Sequence, residues 1–240
     1  MIEDFDFERC GHLGSYSHGE LHSETGNSYS GQWRQGERHG EGTSVLEAGE
    51  VYSGQWSQGE WSGYGSHTWK QEGVVGSYRG EWSSGVKHGK GTFTLSSGES
   101  FDGQWFRGEK HGEGKWMGDN GDKYQGEWHK GQRHGEGRYE WAPGDEQSSN
   151  GRMYYEGQWS MDQRHGEGSF VSVCRARQVA GDTTSYSGQW QGDRYCGQGV
   201  YRHQNKTYKG TWLNGERHGT GIVLDSAGVR QDVNWVAIFT

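Results

Sequence analysis

Proline occurs once in the 240 residues, cysteine three times and methionine four times, and only 28% of the chain is hydrophobic. Aromatic residues make up 14% of the chain, half of that apolar inventory, so a thick core of branched aliphatics cannot be assembled. One proline excludes collagen and Pro-rich linker alike. The cysteines, Cys10, Cys174 and Cys196, are odd in number and form no C-x-x-C. They outline neither a disulfide framework nor a zinc knuckle, and reduced thiols in a cytosolic protein fit them best. No apolar run reaches the roughly 18 residues of a membrane span, and the start MIEDFDFERC is acidic, so the chain is expected to be neither secreted nor membrane-spanning by its own signals. The formal charge of -8, with acids and bases interleaved, argues against nucleic acid as a partner.

What the chain has is glycine, 45 residues of it, with 13 Trp and 13 Tyr. Disordered chains lack aromatics, and here they recur at regular positions, so the sequence reads as folded. Aligning on aromatic-x-Gly-x-Trp gives eight units, starting at Tyr29, Tyr52, Tyr78, Phe101, Tyr124, Tyr155, Tyr186 and Tyr208. The unit is about 23 residues long and ends in x-Gly-x-Gly, with insertions at three places.

In Tyr29-Ser-Gly-Gln-Trp33 the aromatic, the Gly and the Trp alternate, which places all three on one face of a strand. Gln35 and Gly36 supply a hairpin turn, and Gly36 can take the positive φ such a turn needs. On the return strand Gly40 and Gly42 alternate with His39 and Glu41, so the two glycines are expected to share a face, with Tyr29 and Trp33 lying over the gaps they leave. The expected fold is all-β: an elongated, twisted single-layer antiparallel sheet of consecutive β-hairpins, about sixteen strands at roughly 4.8 Å spacing. Three regions follow: 1–28 as an N-terminal cap with a degenerate half repeat in Cys10–Gly14, 29–224 as the eight repeats, and 225–240 as a degenerate strand and cap. Terminal strands of this kind can self-associate.

These units resemble MORN repeats (membrane occupation and recognition nexus), whose pattern is Tyr-x-Gly-x-Trp-x-x-Gly-x-x-x-Gly-x-Gly. The resemblance covers about Tyr29 to Leu224, with Ser62, Asp162 and Cys196 as local departures. It implies the hairpin ribbon already reached from spacing. It implies function only loosely, because such a fold carries sites rather than being one. The family includes cytoskeletal and ciliary scaffolds such as radial-spoke components, junctional proteins that bridge membranes, and regions of lipid kinases and of a lysine methyltransferase.

The recurring histidines, His39, His88, His111, His134, His165 and His218, fall two strands apart, roughly 9.6 Å, too far to share a metal. The recurring Glu41, Glu113, Glu136 and Glu167 do not converge as catalysis requires. No catalytic residue, metal site or cofactor site is therefore expected, and the chain reads as a non-enzyme. Arg38, Lys87, Lys110, Arg133, Arg164 and Arg217 directly precede the histidines and should line one edge of the sheet, although Trp61 interrupts the row. That edge either neutralises itself with its flanking acids or faces anions. Partner contacts are expected where the cassette is broken or its connections enlarged: Trp61, Trp141, Pro143, Arg175, Arg177 and Cys196.

The function expected from this is a structural scaffold or adaptor in a ciliary, flagellar or other cytoskeletal complex, cytoplasmic in location, with other proteins of that assembly as partners. The alternative is a peripheral module that binds acidic phospholipid through the basic edge.

Overall fold

An aromatic, a glycine and a Trp at alternate positions are satisfied only by an extended chain with one covered face. The computed structural model describes residues 17–46, 48–143, 151–173 and 183–235, and every regular element among them is a strand. The chain divides into two compact units, Met1–Asp119 and Asn120–Thr240. The first contains β1 Ser17–His22, β2 Ser28–Arg34, β3 Glu37–Val45, β4 Val51–Ser57, β5 Glu60–Gln71, β6 Val74–Ser83, β7 Val86–Leu95, β8 Ser100–Phe106 and β9 Glu109–Met117. The second contains β10 Lys123–His129, β11 Gln132–Trp141, β12 Arg152–Ser160, β13 Gln163–Val173, β14 Thr183–Gln191, β15 Arg194–His203, β16 Lys206–Leu213, β17 Glu216–Leu224 and β18 Arg230–Trp235.

Within each unit successive strands pair antiparallel, giving an open, single-layer meander of hairpins. The count exceeds sixteen because β1 and β18 flank the eight repeats. Gly19 of β1 lies opposite Gly31, as Gly42 of one repeat lies opposite Gly54 of the next; β1 is thus the return strand of a preceding half repeat. Trp235 of β18 lies opposite Gly219, the place a repeat Trp takes. The segments Cys10–Gly14 and Val236–Phe239 lie outside the described residues.

The buried hydrophobic set is made entirely of the sixteen repeat aromatics, each at 6% exposure or less. Each repeat Tyr or Phe lies over the Gly pair of its own hairpin: Gly31 faces Gly42 across the ladder, and a Cβ on Gly42 would collide with the Tyr29 ring. Within each unit, a Trp that follows another repeat reaches back to it instead. Trp56 Nε1 donates to Gly42 O at 3.0 Å, Trp105 to Gly91 O at 3.0 Å and Trp190 to Gly168 O at 3.1 Å. The rings interlock edge to face along the sheet, Tyr52 meeting Trp56 at 5.2 Å and Trp82 at 5.5 Å, contacts worth about 1 kcal/mol each beyond burial.

One expectation is corrected here. Gly40 and Gly42 do not share a face, because every repeat hairpin carries a bulge at the residue after its first Gly, as at the Gly31/Trp33 step. The surplus is on the return strand, where the four steps from Arg38 to Gly42 lie opposite the two from Gly31 to Trp33 and leave Gly40 and Glu41 as extra residues; the residue that faces them is Gln32. Its carbonyl accepts the Tyr29 hydroxyl at 2.9 Å, and its Oε1 accepts the Glu41 N–H at 2.9 Å. Gly40 sits at φ 62°, and a Cβ there would strike the Gln32 side chain. The ring therefore covers Gly31 and Gly42, whereas Gly40 serves the bulge. This also assigns a role to the Gln or Glu that precedes the Trp in seven of the eight repeats, with Thr211 in its place in the last, a role the alternation alone leaves unexplained.

Candidate functional site

The bulge decides where the basic row points. It brings Arg38 opposite Trp33, so the side chain rises on the aromatic face and not along an outer edge. The Arg38 guanidinium lies 4.4 Å from the Trp56 ring of the next repeat, and Arg133 and Arg164 repeat this over Trp159 at 4.5 Å and Trp190 at 4.4 Å. Lys110 lies over Phe101 at 5.4 Å and Arg217 over Tyr208 at 5.0 Å.

The same residues tie each repeat to the following turn. The turn N–H groups of Gly59, Gly108, Asp162 and Asp193 donate to the carbonyls of Arg38, Lys87, Arg133 and Arg164. Arg38 Nη2 donates to Gly59 O at 2.9 Å, and Arg133 and Arg164 each bond an Asp carboxylate, Asp162 and Asp193, through Nε at 2.8 Å. The departure at Asp162 is therefore a substitution of an anionic turn for a glycine turn, placed to receive an arginine. Both Asp residues adopt φ 65°, which Asp tolerates better than most side chains.

Where the base is missing, a flat ring replaces it. Trp61 stacks on Tyr52 at 4.4 Å with 5° between planes, and Tyr195 stacks on Tyr186 at 3.8 Å with 15°. Guanidinium, ammonium and aromatic ring all occur at this position, so contact with the neighbouring ring faces is the property the position requires.

A second recurring pair is less visible in the sequence. The residue two before the repeat aromatic and the residue 17 positions later face each other, and where the first is an acid the second is a donor. Glu50 binds His67 Nε2 at 2.5 Å, Glu99 accepts Trp116 Nε1 at 3.1 Å, and Asp122 accepts the Tyr139 hydroxyl at 2.6 Å. Burial raises the Asp122 pKa, but bonds from Tyr139, the Ala142 N–H and Asn120, with Arg133 nearby, hold it below the usual carboxylate range. In the third repeat the acid is replaced by Gly76, and the Trp69 ring occupies the space a side chain would need.

These departures meet in one place. A cleft of about 550 Å³ is lined by Trp61, His67, Trp69, Trp82, Val86 and Lys87, with Glu50, Lys70, Gln71, Gly85 and Gly108 around them. His67 stands between Trp61 at 4.7 Å and Trp69 at 4.9 Å. Burial depresses its pKa; the Glu50 bond opposes this, and Lys87 adds to it. Lys87 Nζ lies among four rings, Phe93 at 4.8 Å, Trp105 at 4.9 Å, Tyr78 at 5.3 Å and Trp69 at 5.4 Å. Burial and then the neighbouring Lys110 charge lower its pKa.

Trp61 and Lys87, drawn from separate expectations, thus line the same cleft. Trp141 lies in the second unit, half-buried against Tyr139 at 4.8 Å and Phe170 at 5.9 Å, and Pro143 is exposed. Arg175 and Arg177 lie outside the described residues. Cys196 is half-buried, and burial, then Glu167, push its thiol pKa up, which disfavours the thiolate. Among the described residues no group of three or more His, Cys, Asp or Glu is placed to hold a metal. His88 and His111 instead approach Phe106 at 5.4 and 5.6 Å.

Open hairpin sheets whose polar residues are spent on tying one repeat to the next, and which carry a cleft where the repeat is broken, define a repeat protein of the interaction-platform type. The family signature of the MORN repeat matches residues 29–50, 52–74, 78–100, 101–123, 124–146, 155–173, 186–207 and 208–228, and the chain belongs to that family. The eight matches begin at the eight aromatics found by spacing. MORN repeats are protein- and membrane-interaction modules. No curated protein matches the chain. Among solved structures, one described as "Streptogramin B lyase structure" aligns over 92% of this chain and 83% of its own, at 8% identity and a TM-score of 0.20, a likeness that carries no argument.

Proposed function

We propose that the chain is a non-catalytic scaffold that holds other proteins along its aromatic face, in a cytoskeletal assembly of the cytoplasm such as a ciliary or flagellar axoneme. The observation that carries the scaffold reading is the fate of the repeated polar residues. Four of the six recurring bases bond or pair within the sheet, and stacking rings take their place in two further repeats. What remains for a partner is an array of similar surfaces with local departures, suited to many weak contacts that add through effective concentration. The axonemal placement rests on family resemblance.

The test is recovery of a tagged chain from ciliated cells after crosslinking. Co-purification with a stable set of axonemal or other cytoskeletal proteins is expected. A monomeric chain with no protein partner, pelleting with phosphatidylserine vesicles in a salt-sensitive way, would replace this reading with the membrane one.

A further inference from the structure

We propose that the cleft lined by Trp61, Trp69, Trp82 and Lys87 binds an acidic side chain, Asp or Glu, flanked by an apolar residue in an extended segment of a partner polypeptide. This rests on the scaffold reading and names the chemistry of one of its contacts.

Lys87 lacks a carboxylate that the lysine of the next repeat has. Lys110 meets Glu99, two residues before its repeat aromatic, at 3.7 Å. The matching position for Lys87 is Gly76, covered by Trp69. Arg38 has the Gly59 carbonyl, Arg133 has Asp162 and Arg164 has Asp193. Among the described residues Lys87 Nζ has no oxygen partner at all, only rings.

A partly desolvated ammonium without an anion is an unfavourable arrangement that a carboxylate would relieve. The other charges at the cleft do not supply one. Glu50 lines the cleft too, but its carboxylate is taken up by His67, and Lys70 adds a second positive charge. Lys110 is close enough to depress the Lys87 pKa, and its own carboxylate partner, Glu99, is engaged by it.

The shape selects the source of the carboxylate. The cleft lies on the open face of a single-layer sheet, where nothing can close over a small molecule, whereas an extended chain brings its own cover. The ammonium is recessed among Trp69, Phe93 and Trp105, so a narrow side chain reaches it and the plane of a bilayer surface does not. The half-exposed Trp61 and Trp69 rings beside it offer flat apolar surface to the neighbouring residue of the same segment.

The experiment selects phage-displayed random heptapeptides on the full chain and, in parallel, on Lys87→Met. Fluorescence anisotropy then measures soluble versions of the selected peptides with Glu or Asp changed to Gln or Asn. Selected sequences should place an acid next to an aromatic or large aliphatic residue, and the amide versions should bind at least about tenfold more weakly. Lys87→Met should abolish that difference, while Arg217→Met, outside the cleft, should leave it.

Failure to enrich any peptide, enrichment without an acid, or equal binding of acid and amide on the parent chain would each overturn the proposal. Displacement of the peptide by phosphatidylserine vesicles, with tighter Lys87-dependent binding to the vesicles, would do so as well. The acid–amide comparison on the parent chain decides the matter even if Lys87→Met fails to fold. A stable complex recovered from cells without acid-dependent peptide binding would sink this inference and leave the scaffold reading standing.

Discussion

Replacing Arg164 by Ala tests whether the basic row is a set of clamps between repeats. The guanidinium lies 4.4 Å from the Trp190 ring centre, a contact worth about 1 kcal/mol where it is partly desolvated. Its Nε pairs with Asp193 at 2.8 Å, with side chains 21% and 46% exposed, so solvent reduces that pair to about 0.5 kcal/mol. The methylene stem covers ring surface and adds a similar amount. Asp193 keeps the Arg164 backbone N–H at 3.0 Å, so the carboxylate is not orphaned, and the total is about 2 kcal/mol. Arg164→Lys keeps charge and stem but loses the fork, and should cost about half as much. The cycle partner should be Asp193→Asn, because Asp193 sits at φ 65° and Asn tolerates that region where Ala does not.

In a repeat array stability is local, so amide exchange followed by mass spectrometry is the assay. Opening free energies should fall by about 2 kcal/mol in β13 to β15 and stay close to the parent values in β16 to β18. A fall under about 0.5 kcal/mol, or one spread evenly over the chain, would show that the arginine is not a clamp, and the anion-facing edge would again be the better account of the row.

Trp61→Arg should leave stability within about 1 kcal/mol of the parent, because other repeats place a base at this position, whereas Trp61→Ala should lose about 3 kcal/mol; urea melts compare the two. Gly168→Ala would drive a Cβ into the Tyr155 ring and should cost about 2 to 3 kcal/mol by overpacking, so a variant with an unchanged melting temperature would refute the account of the Gly pair. In the first unit burial raises the pKa of Tyr29 to about 12, partly offset by Arg38, and raises Tyr52 and Tyr78 further. Below about pH 10 both states hold these protons and stability is complete. Above it the unfolded chain releases protons that the native chain keeps, so stability falls by roughly 1.4 kcal/mol per pH unit per tyrosine until the native groups titrate. Ionisation of these buried tyrosines, read at 295 nm against a variant with the exposed Tyr64 changed to Phe, should therefore accompany loss of circular dichroism, and ionisation of Tyr29, Tyr52 or Tyr78 in a folded chain would contradict the burial argument.

The repeat frame is legible because it has a period that residues alone reveal. Tyr29, Gly31 and Trp33 alternate, Gly36 marks the turn, and the start of every unit follows. The bulge is not legible, because its two extra residues, Gly40 and Glu41, sit inside the Gly-x-Gly pattern of the return strand and leave no gap in it. Alternation alone reads Gly40 beside Gly42, whereas at φ 62° its Cβ direction meets the Gln32 side chain. Its place beside the turn reads Arg38 as an edge residue, whereas the bulge sets it opposite Trp33 on the aromatic face. The acid–donor pairs were missed for another reason. Glu50 and His67 are 17 residues apart on neighbouring strands, and their match is visible only when Glu99 with Trp116 and Asp122 with Tyr139 are set beside them.

Interchangeability at these positions indicates how such an array acquires a site. A position that accepts Arg, Lys, Trp or Tyr as long as the neighbouring ring faces are contacted can change without loss of the fold, and a position that holds an acid or a glycine can change when its opposite residue changes. Chemistry useful to a partner arises when one of the two changes alone. In the third repeat the acid has become Gly76 while Lys87 has remained, and in the second the base has become Trp61. Neighbouring repeats therefore leave an ammonium without its carboxylate beside rings without their cation. The first repeat shows the polar version of the same mismatch, with Asn27 Oδ1 and Ser44 Oγ both buried and without a hydrogen-bond partner. Those two oxygen atoms are buried, whereas the Lys87 mismatch opens into a cleft. Burial, more than residue type, decides which broken repeat can meet a partner.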